Sequence, residues 1–405
     1  MNVVVINCGS SSLKFQLIET SLEHISKDAD VCKARGLVDR IGSQALISFQ
    51  ATGGISTKET APIRDHKQAI DRAVSWFLNE SKLLGSASDL GGVGHRVVHG
   101  GEHFQKSVRI TPEVIDGIED CMVLAPLHNP ANLKGIRATQ ALLGSAVPQV
   151  AVFDTAFHAT MPASAYLYGI PYNMYRRHKI RRYGFHGTSH RYVAYRYRQL
   201  LGLEKDQVNI ISLHLGSGCS ACAVKAGQSV DTSMGMTPLE GLLMGTRCGD
   251  LDPSVVEVLM QNEGLSVAEV DSLLNKQSGL LGISGLTGDM RDLLLERSEN
   301  QDRRASLAIE IFCQRVRKYI GAYLAAMGGA DAVVFTGGIG QNSPEIRAEI
   351  MSSFAWAGVD LDPQLNTNTV GETTASVSRP GSKLPVYVIP TNEELLIARD
   401  TVRAI

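Results

Sequence analysis

A turn of small residues between two short apolar runs is the feature that most constrains this chain. Segment 7–15 (NCGSSSLKF) follows the apolar residues 3–6 and precedes the apolar Leu17 and Ile18. Free backbone N–H groups, hydroxyls and one lysine between two strands form an anion-binding turn. The pattern predicts a strand hairpin that can hold a phosphate group.

Two later segments repeat this chemistry. Segment 210–224 (IISLHLGSGCSACAV) also joins strand to strand, and segment 333–342 (VVFTGGIGQN) runs from a strand toward a helix that Pro344 can start. None of the three fits the P-loop or the dinucleotide-binding glycine pattern. A single Gly/Ser hairpin is usually only a turn, but three in one chain indicate a phosphate-rich ligand. The Gly-Ser pair shared by 7–15 and 214–223 suggests two related domains that face one ligand.

Length and charge exclude several classes of protein. A chain of 405 residues is too long for one core and predicts two domains. With 44% hydrophobic residues, 20% charged residues and a net charge of -2, it has no global attraction to nucleic acid or membrane. The first residues lack a basic signal-peptide region, and no apolar run approaches the ~18 residues of a membrane span. We expect a cytoplasmic protein with no membrane and no nucleic-acid partner.

Cysteine and histidine spacings suggest metal sites that the context argues against. Seven scattered cysteines fit a reducing compartment. Cys219 and Cys222 have redox or half-zinc-site spacing, but they fall in a predicted strand, where residues three apart point to opposite faces. We interpret both as buried apolar residues. His95, His99 and His103 would share one face of a helix, but the glycines among them argue against a helix.

The spacing of apolar residues predicts an α/β chain, with short strands and turns over residues 1–60. A strand is predicted over 147–153, another lies between Pro385 and Pro390, and Asn392 can cap a final helix that ends at Ala404. Further helices are predicted over 67–84, 113–124, 130–143, 254–262, 267–275, 303–327 and 344–355.

Segment 176–198 carries eight Lys/Arg residues interleaved with tyrosines, a pattern typical of nucleic-acid surfaces. The alternative is the exterior of an amphipathic helix with long, partly buried side chains. Under that alternative the exterior residues are Arg191, Tyr192, Tyr195, Arg196 and Arg198.

Nine ordered motifs closely resemble the acetokinase family along essentially the whole chain. They are 7–15, 94–101 (GHRVVHGG), 125–130 (APLHNP), 153–158 (FDTAFH), 183–190 (YGFHGTSH), 231–241 (DTSMGMTPLEG), 244–247 (MGTR), 335–340 (FTGGIG) and 390–394 (PTNEE). The resemblance implies an α/β fold of two duplicated domains of the actin-like, sugar-kinase-like and Hsp70-like (ribonuclease H-like) kind around a nucleotide cleft. It also implies a homodimer, an N-terminal domain of 1–150 plus 386–405, and a nucleotide-binding domain of 151–385.

The implied reaction is reversible transfer of the ATP γ-phosphoryl group to acetate, giving acetyl phosphate and ADP, with Mg²⁺ or alternatively Mn²⁺. Propionate or another short-chain carboxylate is the alternative acceptor. Phosphoryl transfer needs mainly positioning and charge neutralisation. Arg96 and Arg247 match the two active-site arginines of the family and present planar forks to carboxylate and phosphoryl oxygens. His186 would donate to a phosphoryl oxygen, and Asp154 would orient an arginine or the metal shell.

The resemblance assigns the remaining site residues. Asn7 and Glu393 match the magnesium positions. Ser10, Ser12 and Lys14 would contact phosphates. The nucleotide-binding residues are His214, Leu215, Gly216, Ser217, Gly218, Asp289, Met290, Arg291, Gly338, Ile339, Gly340, Gln341 and Asn342. The substrate-binding residues are Arg96, Val98, Leu127, His128, Phe185 and Pro238. Relatives that prefer propionate tend to carry a smaller residue at the position of Val98, so acetate is favoured.

Three positions depart from the family pattern: Ser217 replaces Asn, Gln341 replaces Glu and Cys248 replaces Ser. Ser217 is too short to span the hydrogen bond of Asn, which bears on nucleotide affinity and on the choice of phosphate donor. Two other classes of function remain. A non-catalytic nucleotide switch would keep the phosphate turns but would not need Arg96, Arg247 and His186. A nucleic-acid-binding protein would rest on segment 176–198 alone.

Overall fold

The computed structural model describes residues 1–9, 11–126 and 128–405. The chain forms two compact units, one of residues 1–159 with 392–405 and one of residues 160–391. The predicted borders at 150 and 386 therefore differ from the observed ones. The reason at the second border is that the strand Val386–Val388 pairs with the sheet of the second unit.

The strands are β1 Asn2–Cys8, β2 Ser12–Glu19, β3 Val31–Asp39, β4 Ser43–Ala51, β5 Ser56–Ile63, β6 Leu90–Val97, β7 Val108–Arg109, β8 Gln149–Phe153, β9 Ile210–Leu215, β10 Cys219–Lys225, β11 Gln228–Thr232, β12 Ala332–Thr336, β13 Ala375–Ser376 and β14 Val386–Val388. The α-helices are α1 Leu22–Lys27, α2 His66–Ser75, α3 Pro112–Asp120, α4 Asn129–Leu143, α5 Ala163–Tyr166, α6 Tyr172–His178, α7 Gly187–Leu201, α8 Ser254–Glu263, α9 Val267–Lys276, α10 Gly279–Ser284, α11 Met290–Glu299, α12 Arg303–Met327, α13 Gly337–Asn342, α14 Pro344–Met351, α15 Pro363–Asn368 and α16 Glu393–Ala404. A π-helical segment covers Trp76–Glu80, and 3-10 segments cover Ala87–Asp89, Cys121–Val123, Ala156–Thr160, Lys205–Gln207 and Ser352–Ala357.

The two units contain the same sheet topology. In the first sheet the order is β5-β4-β3-β2-β1-β6-β8-β7, and in the second it is β11-β10-β9-β12-β14-β13. The strands β3-β2-β1-β6-β8 and β11-β10-β9-β12-β14 correspond one to one. In both sets the first three strands are antiparallel, and the next two run parallel to the hairpin's first strand. This correspondence confirms the predicted duplicated α/β fold and both Gly/Ser hairpins.

The first sheet is covered by different elements on its two faces. On one face Phe15, Phe49, Trp76 and Phe77 form an aromatic cluster with ring centroids 5.0 to 5.8 Å apart. On the other face α16 packs against the central strands. Gly94 of β6 permits this packing, because a Cβ there would lie 2.4 Å from Thr401 Oγ1 and 2.7 Å from Ile397 Cγ2. The first residue of α16, Glu393, is positioned by this contact.

Most predicted helices are present, with differences at their ends. The helix over 303–327 is confirmed, and Asn392 caps α16 by accepting a hydrogen bond from Leu395 N at 3.0 Å. The helix predicted over 67–84 is wrong at its C-terminus, because a left-handed backbone at Lys82 (φ 52°) follows the π-helical segment and stops it. The helix predicted over 344–355 ends as α14 at Met351 and continues as a 3-10 segment.

The basic and aromatic segment 176–198 is partly absorbed into the second unit. In α7, Tyr192 is buried, which contradicts its predicted place on the helix exterior, while Arg191, Tyr195, Arg196 and Arg198 are partly exposed. Tyr192 is buried because it lies on the same face of α7 as the buried residues Thr188 and Ser189, four and three residues earlier. Among the described residues, no helix has the length and apolar character needed to cross a membrane.

The structure confirms the predicted burial of Cys219 and Cys222 and the predicted non-helical backbone at His95. Cys219 and Cys222 are buried in β10, and burial raises the pKa of each thiol to about 12. His95 lies in strand β6 and not on a helix. Within residues 1–9, 11–126 and 128–405, no three His, Cys, Asp or Glu side chains are grouped so that they could hold a metal ion.

Candidate functional site

In the first unit, Arg96 and Asp154 form a planar ion pair. Arg96 lies near the end of β6, and Asp154 directly follows the neighbouring parallel strand β8. The carboxyl ends of parallel strands are where open α/β sheets bind ligands. Arg96 Nη2 lies 2.7 Å from Asp154 Oδ2, and Arg96 Nε lies 3.2 and 3.1 Å from the two carboxylate oxygens. Asp154 therefore holds the guanidinium in one plane and leaves its other edge for a ligand.

Glu393 adds a second carboxylate to this cluster. Its Oε2 lies 3.9 Å from Arg96 Nε. Burial raises the pKa of Glu393, and the charges of Asp154 and Glu394 raise it further, against the opposing effects of Arg96 and Lys14. Burial disfavours the charge of Arg96, but the charges of Asp154 and Glu393 outweigh it and raise its pKa. A cation beside Glu393 would therefore relieve the repulsion between these carboxylates.

The donors at this edge of the sheet suit a hard divalent cation. Asn7 lies near the end of β1, one residue beyond the Ile6–His95 pair that joins β1 to β6. Its amide oxygen and the Glu393 carboxylate are the kind of oxygen ligands that Mg²⁺ takes, usually together with waters and substrate phosphates. The two residues alone cannot form a closed protein cage, which agrees with a metal that is bound together with a phosphate substrate.

The first Gly/Ser turn is fixed from outside the hairpin. Gly9 N donates to Ser12 O at 2.9 Å, and the Gly9 carbonyl lies 2.7 Å from His66 Nε2. Asn132 Nδ2 donates to Cys8 O at 2.9 Å. Lys14 is exposed, Ser12 is partly buried, and Ser10 lies outside the described residues. His66 and Asn132 could not be predicted from the sequence, because they lie 57 and 124 residues from their partners and belong to no local motif.

Among the predicted substrate-binding residues of the first unit, Val98 directly follows β6. Val98 is 7% exposed, and its N–H donates to Asn132 Oδ1 at 3.1 Å. Asn129 exchanges hydrogen bonds of 3.1 and 2.9 Å with the backbone of His99. His128 is partly exposed at the start of α4, and Leu127 lies outside the described residues.

In the second unit, the structure brings the predicted nucleotide-binding segments together. Ser217 O accepts a hydrogen bond from Gly245 N at 2.9 Å. A Cβ at Gly288 would lie 2.8 Å from Gly245 O, and a Cβ at Gly337 would lie 2.7 Å from Leu215 O. The β9–β10 turn, the start of α11 and the start of α13 therefore meet through close backbone contacts that glycines permit. Met290 is buried at the start of α11.

Individual residues of these segments have clear local roles. Asp289 caps α11 by accepting from Arg291 N at 2.9 Å, and it also pairs with the exposed Arg291 guanidinium at 2.6 Å. Asn342 closes α13 by donating to Gly338 O at 2.9 Å and accepting from Gly371 N at 3.0 Å. Gln341 is partly exposed.

Arg247 and His186 meet at the glycine turn. A Cβ on Gly218 would lie 3.5 Å from Arg247 Nη1 and 3.6 Å from His186 Nε2. Arg247 Nη1 donates to Pro238 O at 3.3 Å, and burial lowers the pKa of this arginine. Within the described part of the chain, no carboxylate pairs with Arg247. This positive charge is therefore available to an anionic ligand, and Phe185 is fully buried next to His186.

His186 sits in a strained backbone conformation and a hydrogen-bonded environment. Its φ is 53°, a left-handed value that non-glycine residues rarely adopt and that is often stored at functional sites. Its Nδ1 lies 2.8 Å from Ser220 Oγ. Ser220 and the neighbouring His190 and Ser212 were missed as site residues. His190 belongs to the family motif 183–190, but the motif gave no signal for its hydrogen-bonded role beside His186.

The comparisons with known proteins agree with the motif resemblance. Residues 2–399 match the model of the acetokinase family. The chain is 59% identical to the acetate kinase of Solibacter usitatus (strain Ellin6076), over 100% of this chain and 98% of that protein. The crystal structure of Porphyromonas gingivalis acetate kinase superposes with a TM-score of 0.92 at 44% identity, covering 100% of this chain and 99% of that one. A propionate kinase from Francisella tularensis subsp. tularensis SCHU S4 superposes with a TM-score of 0.90 at 43% identity, covering 100% of both chains. On this full-length similarity, the chain belongs to the acetokinase family.

Proposed function

We propose that this protein is an acetate kinase, which reversibly transfers the γ-phosphoryl group of ATP to acetate and gives acetyl phosphate and ADP. The observation that carries the proposal is the guanidinium of Arg247, which has no carboxylate partner within the described residues and lies against the Gly218 turn. A partly buried cation without a counter-ion favours a bound anion. The full-length identity to acetate kinase gives that anion its chemical class.

The arginines supply charge neutralisation. In a loose phosphoryl transfer, negative charge is spread over three equatorial oxygens, so positioned cations lower the barrier more than a strong nucleophile does. Arg247 would donate to the migrating phosphoryl group, and Arg96 would hold the acetate carboxylate. Asp154 orients Arg96 through the fork described above. No general base is needed, because acetate is already ionised at neutral pH.

Neutral His186 would donate a hydrogen bond to an oxygen of the migrating phosphoryl group. Its Nε2 edge lies against the Gly218 turn beside Arg247. A donor aimed at an oxygen on which charge develops stabilises the transition state.

Asn7 and Glu393 would hold Mg²⁺, with Mn²⁺ as an alternative that accepts the same oxygen ligands. When bound, the metal supplies charge neutralisation of the nucleotide phosphates. Ser10, Ser12 and Lys14 would contact phosphates in the first unit. The nucleotide would contact the β9–β10 turn, the start of α11 and residues 338–342 of the second unit.

The acceptor class is proposed from the apolar residues. Val98, Leu127, Phe185 and Pro238 would form the apolar pocket for the methyl group of acetate, and His128 would be a further substrate-binding residue. The solved propionate kinase, similar over the whole chain, supports propionate as the second candidate acceptor. The bulk of Val98 favours acetate, because one methylene in an apolar pocket changes binding by ~1 to 3 kcal/mol.

A cytoplasmic homodimer completes the proposal. The family resemblance supports the homodimer, and the seven scattered cysteines fit the reducing conditions of the cytoplasm. Light scattering of the purified protein should give twice the mass of 43.7 kDa. A mass of one chain at assay concentration would contradict the dimer and leave the reaction chemistry untouched.

The function is tested by trapping acetyl phosphate. Purified protein is incubated with ATP, MgCl₂ and acetate, and the product is converted to acetohydroxamate with hydroxylamine. We expect product that depends on acetate and whose rate of formation falls by ~10²-fold or more in Arg247→Ala. Arg379→Ala, which removes an exposed arginine paired with Asp360, is the matched control and should retain activity. Absence of acetyl phosphate with the parent protein would contradict the proposal.

A further inference from the structure

We infer that Ser212, His190 and Ser220 form a one-way hydrogen-bond chain that fixes His186 as the neutral tautomer with its proton on Nε2. The inference rests on the proposed function, in which His186 donates to a phosphoryl oxygen. It assigns three positioning residues that touch no substrate and act through His186.

The hydrogen-bond chain from Ser212 to His186 is continuous in the structure. Ser212 Oγ lies 2.9 Å from His190 Nδ1, and His190 Nε2 lies 2.8 Å from Ser220 Oγ. Ser220 Oγ lies 2.8 Å from His186 Nδ1. All three distances are within hydrogen-bond range.

The fold explains why these residues meet. Ser212 of β9 pairs with Cys222 of β10, and His214 pairs with Ser220. Side chains two residues apart on a strand share a face, so Ser212 and Ser220 point to the same side of the sheet. The helix α7, which begins at Gly187, packs against β9 and carries His190.

Burial determines which atom donates in each hydrogen bond of this series. Ser212, Ser220 and His190 are 0% exposed. Buried hydroxyls and imidazole N–H groups almost always donate to an acceptor, because an unpaired buried donor costs ~1 to 3 kcal/mol. Among the described residues, His190 is the only hydrogen-bond partner of the Ser212 hydroxyl. Ser212 must therefore donate to His190 Nδ1.

The rest of the direction follows from donor and acceptor counts. When His190 Nδ1 accepts, the proton of a neutral imidazole is on Nε2, which then donates to Ser220 Oγ. Ser220 receives that hydrogen bond and has its own proton left for His186 Nδ1. His186 Nδ1 thus accepts, and the proton of His186 is on Nε2. Tautomers are assigned from such networks and not from heavy-atom positions.

The reverse direction leaves a buried donor without a partner. If His186 Nδ1 carried a proton, it would donate to Ser220, Ser220 to His190 Nε2, and His190 Nδ1 to Ser212. The Ser212 hydroxyl would then have no acceptor among the described residues. The same cost arises when His186 is doubly protonated. The hydrogen-bond chain therefore disfavours both the Nδ1-protonated tautomer and the imidazolium form of His186.

The protonated nitrogen faces the proposed reaction site of the second unit. His186 Nε2 lies 3.6 Å from where a Cβ of Gly218 would be, beside Arg247 Nη1 at 3.5 Å from the same point. The hydrogen-bond chain therefore keeps the Nε2–H of His186 as a donor beside the Gly218 turn. In serine proteases, the wrong tautomer of a catalytic histidine costs ~10⁴-fold in rate, which shows how strongly such a constraint can act.

The test is ¹⁵N NMR of protein labelled at its histidine nitrogens, recorded without substrate at neutral pH. Loss of one signal pair in His186→Gln assigns His186. We expect the parent to show a protonated Nε2 and an unprotonated Nδ1 at His186. Ser220→Ala removes the donor to Nδ1, and Ser212→Ala removes the group that sets the direction, so both should shift the His186 signals. Ser220→Thr keeps the hydroxyl on a residue suited to strands and should restore the parent spectrum.

Turnover gives a second readout. Ser220→Ala should lower kcat/KM by ~10- to 100-fold, the range seen when outer-shell partners of ligating histidines are removed. Ser220→Thr should recover most of that loss. The matched control is Ser21→Ala, which removes a serine hydrogen bond of 2.6 Å to His24 Nδ1 in the first unit and should leave the His186 signals unchanged.

The outcomes separate this inference from the proposed function. A parent spectrum with His186 protonated on Nδ1 would overturn the inference, whatever the activity. The inference would also be overturned if Ser220→Ala had the same His186 signals and the same kcat/KM as the parent. An Nε2-protonated His186 in a parent protein that makes no acetyl phosphate would support the hydrogen-bond chain and remove the proposed function instead.

Discussion

Replacement of Asp154 by asparagine tests how much the orientation of Arg96 contributes. The Asp154 side chain is 1% exposed and holds Arg96 through contacts of 2.7, 3.1 and 3.2 Å. Hydrogen bonds to charged groups contribute ~1.5 to 3 kcal/mol each, and removal of one partner of a buried ion pair costs ~3 to 5 kcal/mol. Asparagine keeps one acceptor oxygen and loses the other, and Arg96 is itself 21% exposed. We therefore expect a loss of ~2 to 3 kcal/mol in the free energy of unfolding.

The same change should lower turnover. A misplacement of ~1 Å at a positioned group can cost ~10²-fold in rate, so we expect kcat/KM for acetate to fall about that much. Urea denaturation and the hydroxamate assay measure the two effects. Asp360→Asn is the control, because the Asp360–Arg379 pair is more than half exposed at 3.1 Å and should contribute less than ~1 kcal/mol. Unfolding free energy and kcat/KM in Asp154→Asn that match those of Asp360→Asn would refute the orienting role.

Other changes test separate parts of the site. Arg96→Ala or Arg247→Ala should lower kcat/KM by ~10²-fold or more with ATP affinity by calorimetry nearly unchanged, and near-normal turnover in either would remove that arginine from the site. Glu393→Ala and Asn7→Ala should raise the Mg²⁺ concentration for half-maximal rate more than the KM for acetate; parent-like metal titrations in both would end the metal assignment. Because burial raises the pKa of Glu393, the folded protein keeps a proton that the unfolded chain has already lost, and stability falls as pH rises above ~4.3. Glu393→Gln should reduce this fall in metal-free Tm measurements from acidic to neutral pH, and an unchanged slope would show that another group causes it. Val98→Ala should move the ratio of kcat/KM for propionate over acetate upward by roughly 10-fold, and a constant ratio would show that Val98 does not contact the acyl group.

Much of the fold was predictable because local patterns decide it. The Gly/Ser turns flanked by apolar runs predicted the hairpins β1–β2 and β9–β10. Apolar spacing predicted the full extent of α12, and a single asparagine predicted the start of α16. The domain borders were not predictable in this way. Which sheet takes up Val386–Val388 depends on β12, a strand about fifty residues earlier in the chain.

Only the site residues that belong to sequence motifs could be predicted. Arg96, Asp154 and Glu393 belong to three separate motifs, and the structure joins them at one edge of the first sheet. The supporting contacts could not be read from the sequence, because a serine or asparagine such as Ser220 or Asn132 has no distinctive local pattern. Their roles arise from strand register and from burial, which leave each polar group few partners. Ser217 is the opposite case. Its departure from the family pattern is visible in the sequence, but its contact to Gly245 is made by the backbone and does not depend on the side chain.

Whether acetate is the preferred phosphoryl acceptor can be decided with a panel of acetate, propionate and butyrate. Each acid is incubated with the purified protein, ATP and Mg²⁺, and acyl phosphate formation is scored as kcat/KM. We expect the highest kcat/KM for acetate, a lower value for propionate and the lowest for butyrate. A higher kcat/KM for propionate than for acetate, or no acyl phosphate from any of the three acids, would contradict this expectation.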